Sequence, residues 1–294
     1  MSAVTLDTRD RIFAGILLTG FSYFLFTVHD AMVKLLVASI PVWQVLFFRS
    51  LTILTGCMIF GGPPLYREAW HSPVFRPMFL RSFLILAAWL CYYTAARDLQ
   101  LAELTTIYYA APIIITVLSV FVLGEKVPLS RWAAVAIGFA GVFVACDPAK
   151  LGVTLPVILV LAAASCWGLS IVLLRKIALQ EKTIVQMILN NGFFLVTAGL
   201  PLTLVWTTPS LTQVALLAAV GSVAGFAQFT LFEGMKRAPA SVIAPFEYTA
   251  LVWSFLLGFL IWGDVPRSEV FVGASMIVGA GLIIIAGEHF RRRT

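Results

Sequence analysis

Residues 12–37 read IFAGILLTGFSYFLFTVHDAMVKLLV, a run whose only charged residues, Asp30 and Lys34, come toward its end. As a helix the run is long enough to cross a bilayer core, which takes about 20 predominantly apolar residues. It also carries a second pattern. Thr19, Tyr23, Thr27, Asp30 and Lys34 recur every three or four residues, so they lie on one stripe of a helix. Lipid cannot hydrogen-bond such a stripe, which must face other protein or a wet cavity. The run therefore predicts one helix of a larger membrane bundle with a polar interior.

The rest of the chain extends that reading. Of 294 residues, 61% are hydrophobic and 12% charged, about half the charged fraction of a soluble domain. Breaks at proline, glycine and charge clusters divide the sequence into ten predicted helices, near 12–37, 41–60, 78–97, 103–122, 130–146, 153–177, 184–206, 211–235, 240–262 and 269–287. None shows the polar–apolar alternation of a membrane β-barrel. The expected fold is an all-α membrane protein.

Charge placement orients the bundle. With the N-terminus in the cytoplasm, fifteen lysines and arginines fall on cytoplasmic ends, Arg81 among them, and four (Lys34, Arg97, Lys150, Arg267) on outer ends, while Arg49 lies mid-helix. That bias predicts both termini in the cytoplasm. Trp43, Trp70, Trp132, Trp206 and Trp262 fall near helix ends, as an interfacial belt does. Trp89, Trp167 and Trp253 fall near helix centres. Arg9 and Arg11 before the first run imitate a signal peptide, but no small-residue cleavage site follows, so the first helix is expected to be retained. Cys57, Cys91, Cys146 and Cys166 lie in or beside apolar stretches without metal-ligand spacing and read as free thiols.

The two halves are related. Ala102–Gly141 aligns with Ala240–Gly279 at an offset of 138, placing Val127-Pro128 on Val265-Pro266, and Lys34 and Gln44 fall on Lys176 and Gln186 at an offset of 142. Equal helix counts make this a five-helix duplication, residues 1–150 and 151–294. Five is odd, so the second copy enters the membrane upside down. Inverted repeats of this kind place a substrate site near the midplane between the halves.

Lys34 ending helix 1, Arg49 in helix 2, the stretch Ala102…Pro112…Leu123-Gly124-Glu125-Lys126 with Gly138 and Gly141, and its looser echo Ala240…Gly263-Asp264…Gly279 together resemble the drug/metabolite transporter superfamily in its EamA-type form. Within it the chain is most similar to YddG-type exporters of aromatic amino acids. The resemblance implies a secondary transporter of small metabolites in the cytoplasmic (inner) membrane of a bacterium. The second half departs from the pattern: Asn191 stands where the first half has Arg49, and Asp264 where a glutamate is common.

Polar and aromatic residues at membrane depth mark the candidate path. Tyr23 lies in helix 1, Trp89, Tyr92 and Tyr93 in helix 3, and Tyr108 and Tyr109 in helix 4. In the second half Trp167 and Ser170 lie in helix 6, Gln228 in helix 8, and Tyr248 and Trp253 in helix 9. These are the expected substrate-binding residues, since tyrosine and tryptophan tips need polar partners and their rings stack on planar solutes. Ordinary core packing is the competing reading for any one of them. Helices 5 and 10 carry small residues at four-residue spacing instead, which suits close packing.

Asp30 and Arg49 lie about ten residues on either side of the turn between helices 1 and 2, at matching depth, and are expected to pair. Static pairing and a gating role are both consistent with that placement. His29 adjoins Asp30 but points about 100° away on a helix, which favours a packed histidine over a proton carrier. Glu233 and Glu247 flank the loop between helices 8 and 9 and join this gating or coupling set; a solvated vestibule with Lys236 and Arg237 is the competing reading. Pro112 and Pro245 interrupt helices 4 and 9 and are the hinge candidates.

Other function classes fit poorly. The chain has neither an H-E-x-x-H zinc motif nor a G-x-S-x-G elbow, so an intramembrane enzyme is disfavoured. A channel needs pore rings from several subunits. The net charge of +6 belongs to cytoplasmic helix ends rather than to nucleic-acid binding. The expectation is alternating access by a monomer, without metal or cofactor, exporting a small neutral amino acid with an aromatic or bulky apolar side chain. Its partners are that solute and the lipid bilayer. Efflux of multiple drugs or amphipathic metabolites is the alternative.

Overall fold

The computed structural model describes residues 8–123, 129–146, 154–177, 180–237 and 249–291, and regular structure among them is helical. In the first half α1 spans Thr8–Val37, α2 Val42–Trp70, α3 Phe75–Ala95, α4 Leu101–Tyr108, α5 Ala110–Leu123 and α6 Leu129–Cys146. In the second half α7 spans Leu155–Ile177, α8 Thr183–Gly199, α9 Leu202–Val205, α10 Leu211–Arg237, α11 Thr249–Trp262 and α12 Ser268–Arg291. Phe13–Val37, Val42–Trp70, Phe75–Ala95, Leu155–Leu173 and Leu211–Gly234 are each long and apolar enough to cross a membrane. The shorter Thr183–Gly199, Thr249–Trp262 and Ser268–Ala280 are also apolar. Phe60, Phe121, Leu204 and Phe259 stand exposed on the outside of the bundle, an arrangement that water penalises and lipid does not. The chain is an all-helical membrane protein with several spans.

Three helices differ from the sequence expectation, each at an identifiable backbone signal. Helix 2 does not stop near residue 60. It kinks at Gly62, which takes φ 69°, and resumes through Pro63 and Pro64 to Trp70. Only glycine enters that left-handed region at little cost, and proline suits the first turn of the segment that follows. The predicted helix 4 is two helices, α4 and α5, divided at Tyr109. Pro112, in the first turn of α5, has no N–H for the Tyr108 carbonyl, which lies four residues before it. The predicted helix 7 ends at Gly199 and continues after Pro201 as the single turn α9.

Packing joins the sequence halves rather than separating them. The most extensive contacts are α6 on α12 and α1 on α10, followed by α2 on α8 and α3 on α7. Each of these pairs takes one helix from each half. In lipid such contacts rest on close van der Waals fit and small residues, because the surrounding hydrocarbon is as apolar as a leucine. At Gly221 of α10 a Cβ would collide with the Thr52 side chain and meet the Arg49 carbonyl oxygen at 3.0 Å. At Gly234 it would collide with the Thr19 hydroxyl. These two glycines let α10 pack against both α2 and α1. The core beneath is filled by Val33, Val45, Leu46, Leu104, Val160, Phe194, Val220 and Leu251, all buried.

Candidate functional site

A cavity of about 1150 Å³, counting its open mouth, is walled chiefly by α1, α3, α4, α7 and α10, with Ala250 contributed by α11. These are the helices on which the sequence places polar or aromatic stripes. Two more enter through single side chains, Arg49 from α2 and Asn190 from α8. No described residue of α6 or α12 lines it; those two pack on each other instead.

The α3 wall follows from helical periodicity. Arg81, Ile85, Ala88, Trp89, Tyr92 and Tyr93 all face the cavity, at spacings of three, four and seven that keep them on one face. The rings form a continuous surface. Trp89 stacks near Tyr93 with centroids 6.5 Å apart, and Tyr92 meets Tyr108 edge-on at 5.2 Å. Trp89 is backed by Phe194 at 4.7 Å. Tyr23, Tyr109 and Trp167 complete the aromatic lining.

The charged residues do not pair as the hairpin geometry predicts. Arg49 makes no direct ion pair with Asp30 among the described residues. Its Nε donates to His29 Nε2 at 3.2 Å, and His29 Nδ1 lies 3.0 Å from Asp30 Oδ1. An arginine nitrogen can only donate, so His29 Nε2 must accept and carries no proton. The ring proton therefore sits on Nδ1 and is donated to the Asp30 carboxylate. His29 is a neutral bridge between a cation and an anion. His29 and Asp30 therefore meet side chain to side chain, although adjacent helix residues leave the axis about 100° apart. The Arg49 guanidinium carbon also lies 3.8 Å from the Trp89 ring centre, a cation–π stack worth about 2 kcal/mol when desolvated. Arg49 Nη1 has no hydrogen-bond partner among the described residues. The Tyr92 hydroxyl faces Thr105 and Asp30, which ties α3 and α4 to the same chain.

Several sequence-predicted residues lie elsewhere. Trp253 does not line the cavity; it packs edge-on against Phe24 at 5.0 Å. Ser170 is fully buried outside the lining. Glu233 belongs to a closed network, paired with Arg237 at 2.6 Å and Lys236 at 3.3 Å and accepting from Thr183 at 3.0 Å. All of its visible partners belong to α8 and α10, and it does not line the cavity. Pro112 lies at the α4–α5 break. Tyr248, Glu247 and Pro245 lie outside the described residues. Gln228 does line the cavity and accepts from Asn191 Nδ2 at 3.3 Å. Gly221 and Gly225, which share its stripe in sequence, are packing contacts against α2 instead.

Arg81 and Asn190 were not among the sequence candidates. Arg81 reads in sequence as a cytoplasmic-end charge because the predicted helix begins at 78. The helix begins at Phe75, which carries Arg81 nearly one turn deeper, and it is buried. Its place eight residues before Trp89 was the available signal. Asn190 accepts a hydrogen bond from Ser82 at 3.0 Å.

Polar contacts close the bundle beyond the cavity. At the end where α1 finishes, Lys34 donates to the Ala96 carbonyl at 3.2 Å and to the Leu99 carbonyl, and lies over the Trp262 ring. Glu103 of α4 pairs with Arg267 at 3.0 Å. Gln44 exchanges two hydrogen bonds with the backbone of Thr207, at 2.8 and 3.0 Å. At the opposite end Ser72 bonds Glu181 at 2.9 Å and Lys182 pairs with Glu68 at 2.8 Å. Except for the Lys34 bonds to the α3–α4 turn, each of these ties the first sequence half to the second.

Comparison with known proteins places the architecture. The EamA-like transporter family matches residues 13–146 and again residues 154–286. The chain is 26% identical to an S-adenosylmethionine uptake transporter of Rickettsia prowazekii (strain Madrid E), over 92% of this chain and 94% of the relative. It is 26% identical to the pseudopaline exporter CntI of Pseudomonas aeruginosa (strain UCBPP-PA14), over 92% and 95%. A riboflavin transporter of Rhizobium johnstonii matches at 29% over 58% of this chain and 57% of the relative. A crystal structure superposes with a TM-score of 0.65 at 23% identity, covering 92% of this chain and 97% of its own; at that identity it shows the fold alone. The double family match indicates duplicated halves, and the chain belongs to the EamA-like transporter family, as a secondary transporter of small metabolites and not an enzyme.

Proposed function

We propose that this transporter works by alternating access of two inverted five-helix halves, with ten spans and both termini in the cytoplasm of a bacterial cell whose inner membrane it occupies. The main packing pairs support the inverted arrangement. Exchanging each span with its counterpart five spans later carries α1 on α10 into α3 on α7, and leaves α2 on α8 and α6 on α12 unchanged. Such a contact set is equivalent under the exchange that alternating access requires. The α4–α5 break at Tyr109, beside Pro112, supplies a bend next to the cavity.

The solute is an amino acid with an aromatic or bulky apolar side chain, moved outward. The observation that carries this reading is the continuous ring surface of Trp89, Tyr93, Tyr92 and Tyr108 beside the Arg49–His29–Asp30 chain. Rings stack on a planar or apolar group, while the adjoining charges address a zwitterion. A second reading, a bulkier ring-bearing metabolite, is favoured by the relatives that carry S-adenosylmethionine and riboflavin. Purified protein in liposomes, loaded with labelled phenylalanine, tryptophan, leucine or S-adenosylmethionine, separates the two. Saturable efflux of the aromatic amino acids, inhibited by one another, is the expected result. Flux of S-adenosylmethionine or of lipophilic cations with no flux of any amino acid would sink the amino-acid reading.

A further inference from the structure

Arg81 is 3% exposed, lines the cavity, and has no hydrogen-bond partner at Nε or Nη1 among the described residues. Among the described residues its one neighbour of electrostatic consequence is the Phe232 ring, 5.9 Å from the guanidinium carbon. A buried cation without a partner is strongly unfavourable, and folded proteins retain one rarely. The other buried arginine in this cavity shows the contrast, since Arg49 is tied through His29 to Asp30 and stacked on Trp89. Asp30 is the one carboxylate among the described lining residues and is already engaged by that chain. Arg81 therefore leaves the cavity with a positive charge that no described side chain balances.

Its surroundings suit an acceptor from outside. Asn190, also in the lining, uses its Oδ1 to accept from Ser82 at 3.0 Å, which leaves its Nδ2 donors unclaimed by any described residue. A guanidinium fork with an amide N–H₂ in the same cavity is a donor set that matches a carboxylate. Along α3, Arg81 lies eight residues before Trp89, about 12 Å by helical rise. A solute held there by its acid extends along the face that leads to the ring wall.

We propose that Arg81, with Asn190 as a second donor, is the anchor for a carboxylate of the transported solute. This deepens the amino-acid reading and rests on it for the choice of carboxylate over phosphate, which shares the same chemistry. It also explains why a cation stands buried and unpaired: its counter-ion is the cargo.

The test uses full-length protein in detergent, as wild type, Arg81→Gln and Arg81→Lys. Each is titrated with L-phenylalanine, 3-phenylpropionate (the acid without the amine), phenethylamine (the amine without the acid) and phenyl phosphate. The two carboxylates are expected to bind wild type at least about tenfold more tightly than phenethylamine, with phenyl phosphate no tighter than phenylpropionate. Arg81→Gln should weaken the carboxylates about 10- to 100-fold, the range of a lost charge-assisted pair, and leave phenethylamine unchanged. Arg81→Lys should recover part of the loss. The ligand-free Arg81→Gln protein should melt no lower than wild type, because it has shed an unpaired buried charge.

Unchanged carboxylate affinity in Arg81→Gln overturns the proposal. So does a large fall in ligand-free Tm that Arg81→Lys restores, or a failure of Arg81→Gln alone to fold, since either marks a structural cation. Preference for phenyl phosphate overturns the carboxylate assignment. If phenylalanine does not bind but phenylpropionate does so through Arg81, the amino-acid reading fails and the anchor stands. If no probe anion binds wild type, the anchor fails as well.

Discussion

The two walls of the cavity are built from different chemistry. On the first-half wall α1, α2 and α3 set a cation, an imidazole and an anion in series, Arg49–His29–Asp30, with Trp89 stacked on the cation. On the second-half wall the polar groups among the described residues are the amides Asn190 and Gln228. Behind Gln228, Asn191 of α8, which aligns with Arg49, donates to the Met187 carbonyl at 2.8 Å and to Gln228 Oε1 at 3.3 Å. Duplication has kept the helices and their packing, but among the described lining residues the ionic groups stand on one side only. A symmetric pair of buried charge chains would double a large desolvation cost. A single one gives the cavity a direction, so that a solute with charged and apolar ends meets unlike walls.

The largest expected effect comes from breaking the charged wall at its cation. Arg49→Leu strands Asp30 and His29 and should lower stability by about 3–5 kcal/mol, the usual cost of leaving one member of a buried ion pair alone. Transport should be lost with it. Thermal unfolding in detergent and flux in liposomes check both. Arg49→Lys keeps the charge but loses the Nε bond and the planar stack, and should recover only part of either signal.

Reversing the charges tests whether His29 is truly interposed. In an Asp30→Arg/Arg49→Asp double mutant the ring proton can move to Nε2 and the bridge can re-form with its polarity reversed. The double mutant should melt higher than either single mutant, and adding His29→Leu should abolish that recovery. Recovery that survives His29→Leu would show that a direct pair suffices and that the histidine bridge is dispensable.

His29→Leu removes both links while leaving the end charges. It should cost about 2 kcal/mol, in the range of hydrogen bonds to charged groups, and slow transport by up to about thirtyfold, the rate equivalent of that free energy. A smaller change on the same wall is expected for Trp89→Leu. It deletes a cation–π contact of about 1–2 kcal/mol and should raise the concentration of aromatic solute needed for half-maximal flux more than it lowers the maximal rate.

The smallest effect should lie behind the opposite wall. Asn191→Leu breaks a long hydrogen bond to Gln228 and one to the Met187 carbonyl, which keeps its helical N–H partner, but also removes Oδ1, which has no partner among the described residues. The two effects offset, and stability should move by less than about 1 kcal/mol. A loss as large as that of His29→Leu would show that the two walls are energetically equivalent and would dissolve the comparison.

Much of the candidate site could be read before folding. Tyr23, Trp89, Tyr92, Tyr93, Tyr108, Tyr109, Trp167 and Gln228 line the cavity and were marked by their depth and spacing. Arg81 could not be read this way, because three residues of error in where α3 begins changed it from a helix-end charge into a buried one. Trp253 was misplaced for a related reason. It lies near the middle of the predicted helix 240–262, but α11 turns it toward Phe24 rather than into the cavity. The glycines of α10 share a stripe with Gln228, yet close approach to α2 claims Gly221 and Gly225 for packing.

The amino-acid sequence by itself determined that the chain lies in a membrane, that it spans as helices and that its halves are related. Each of these follows from local demands: apolar length against bilayer thickness, backbone hydrogen bonds satisfied within one segment, and a repeat visible at fixed offset. Tertiary structure alone decided that His29 stands between Arg49 and Asp30, that α10 presses its glycines against α1 and α2, and that Arg81 enters the cavity without a partner among the described residues. Those facts depend on the rotation and depth of one helix against another and on side-chain rotamers, which linear spacing leaves undetermined.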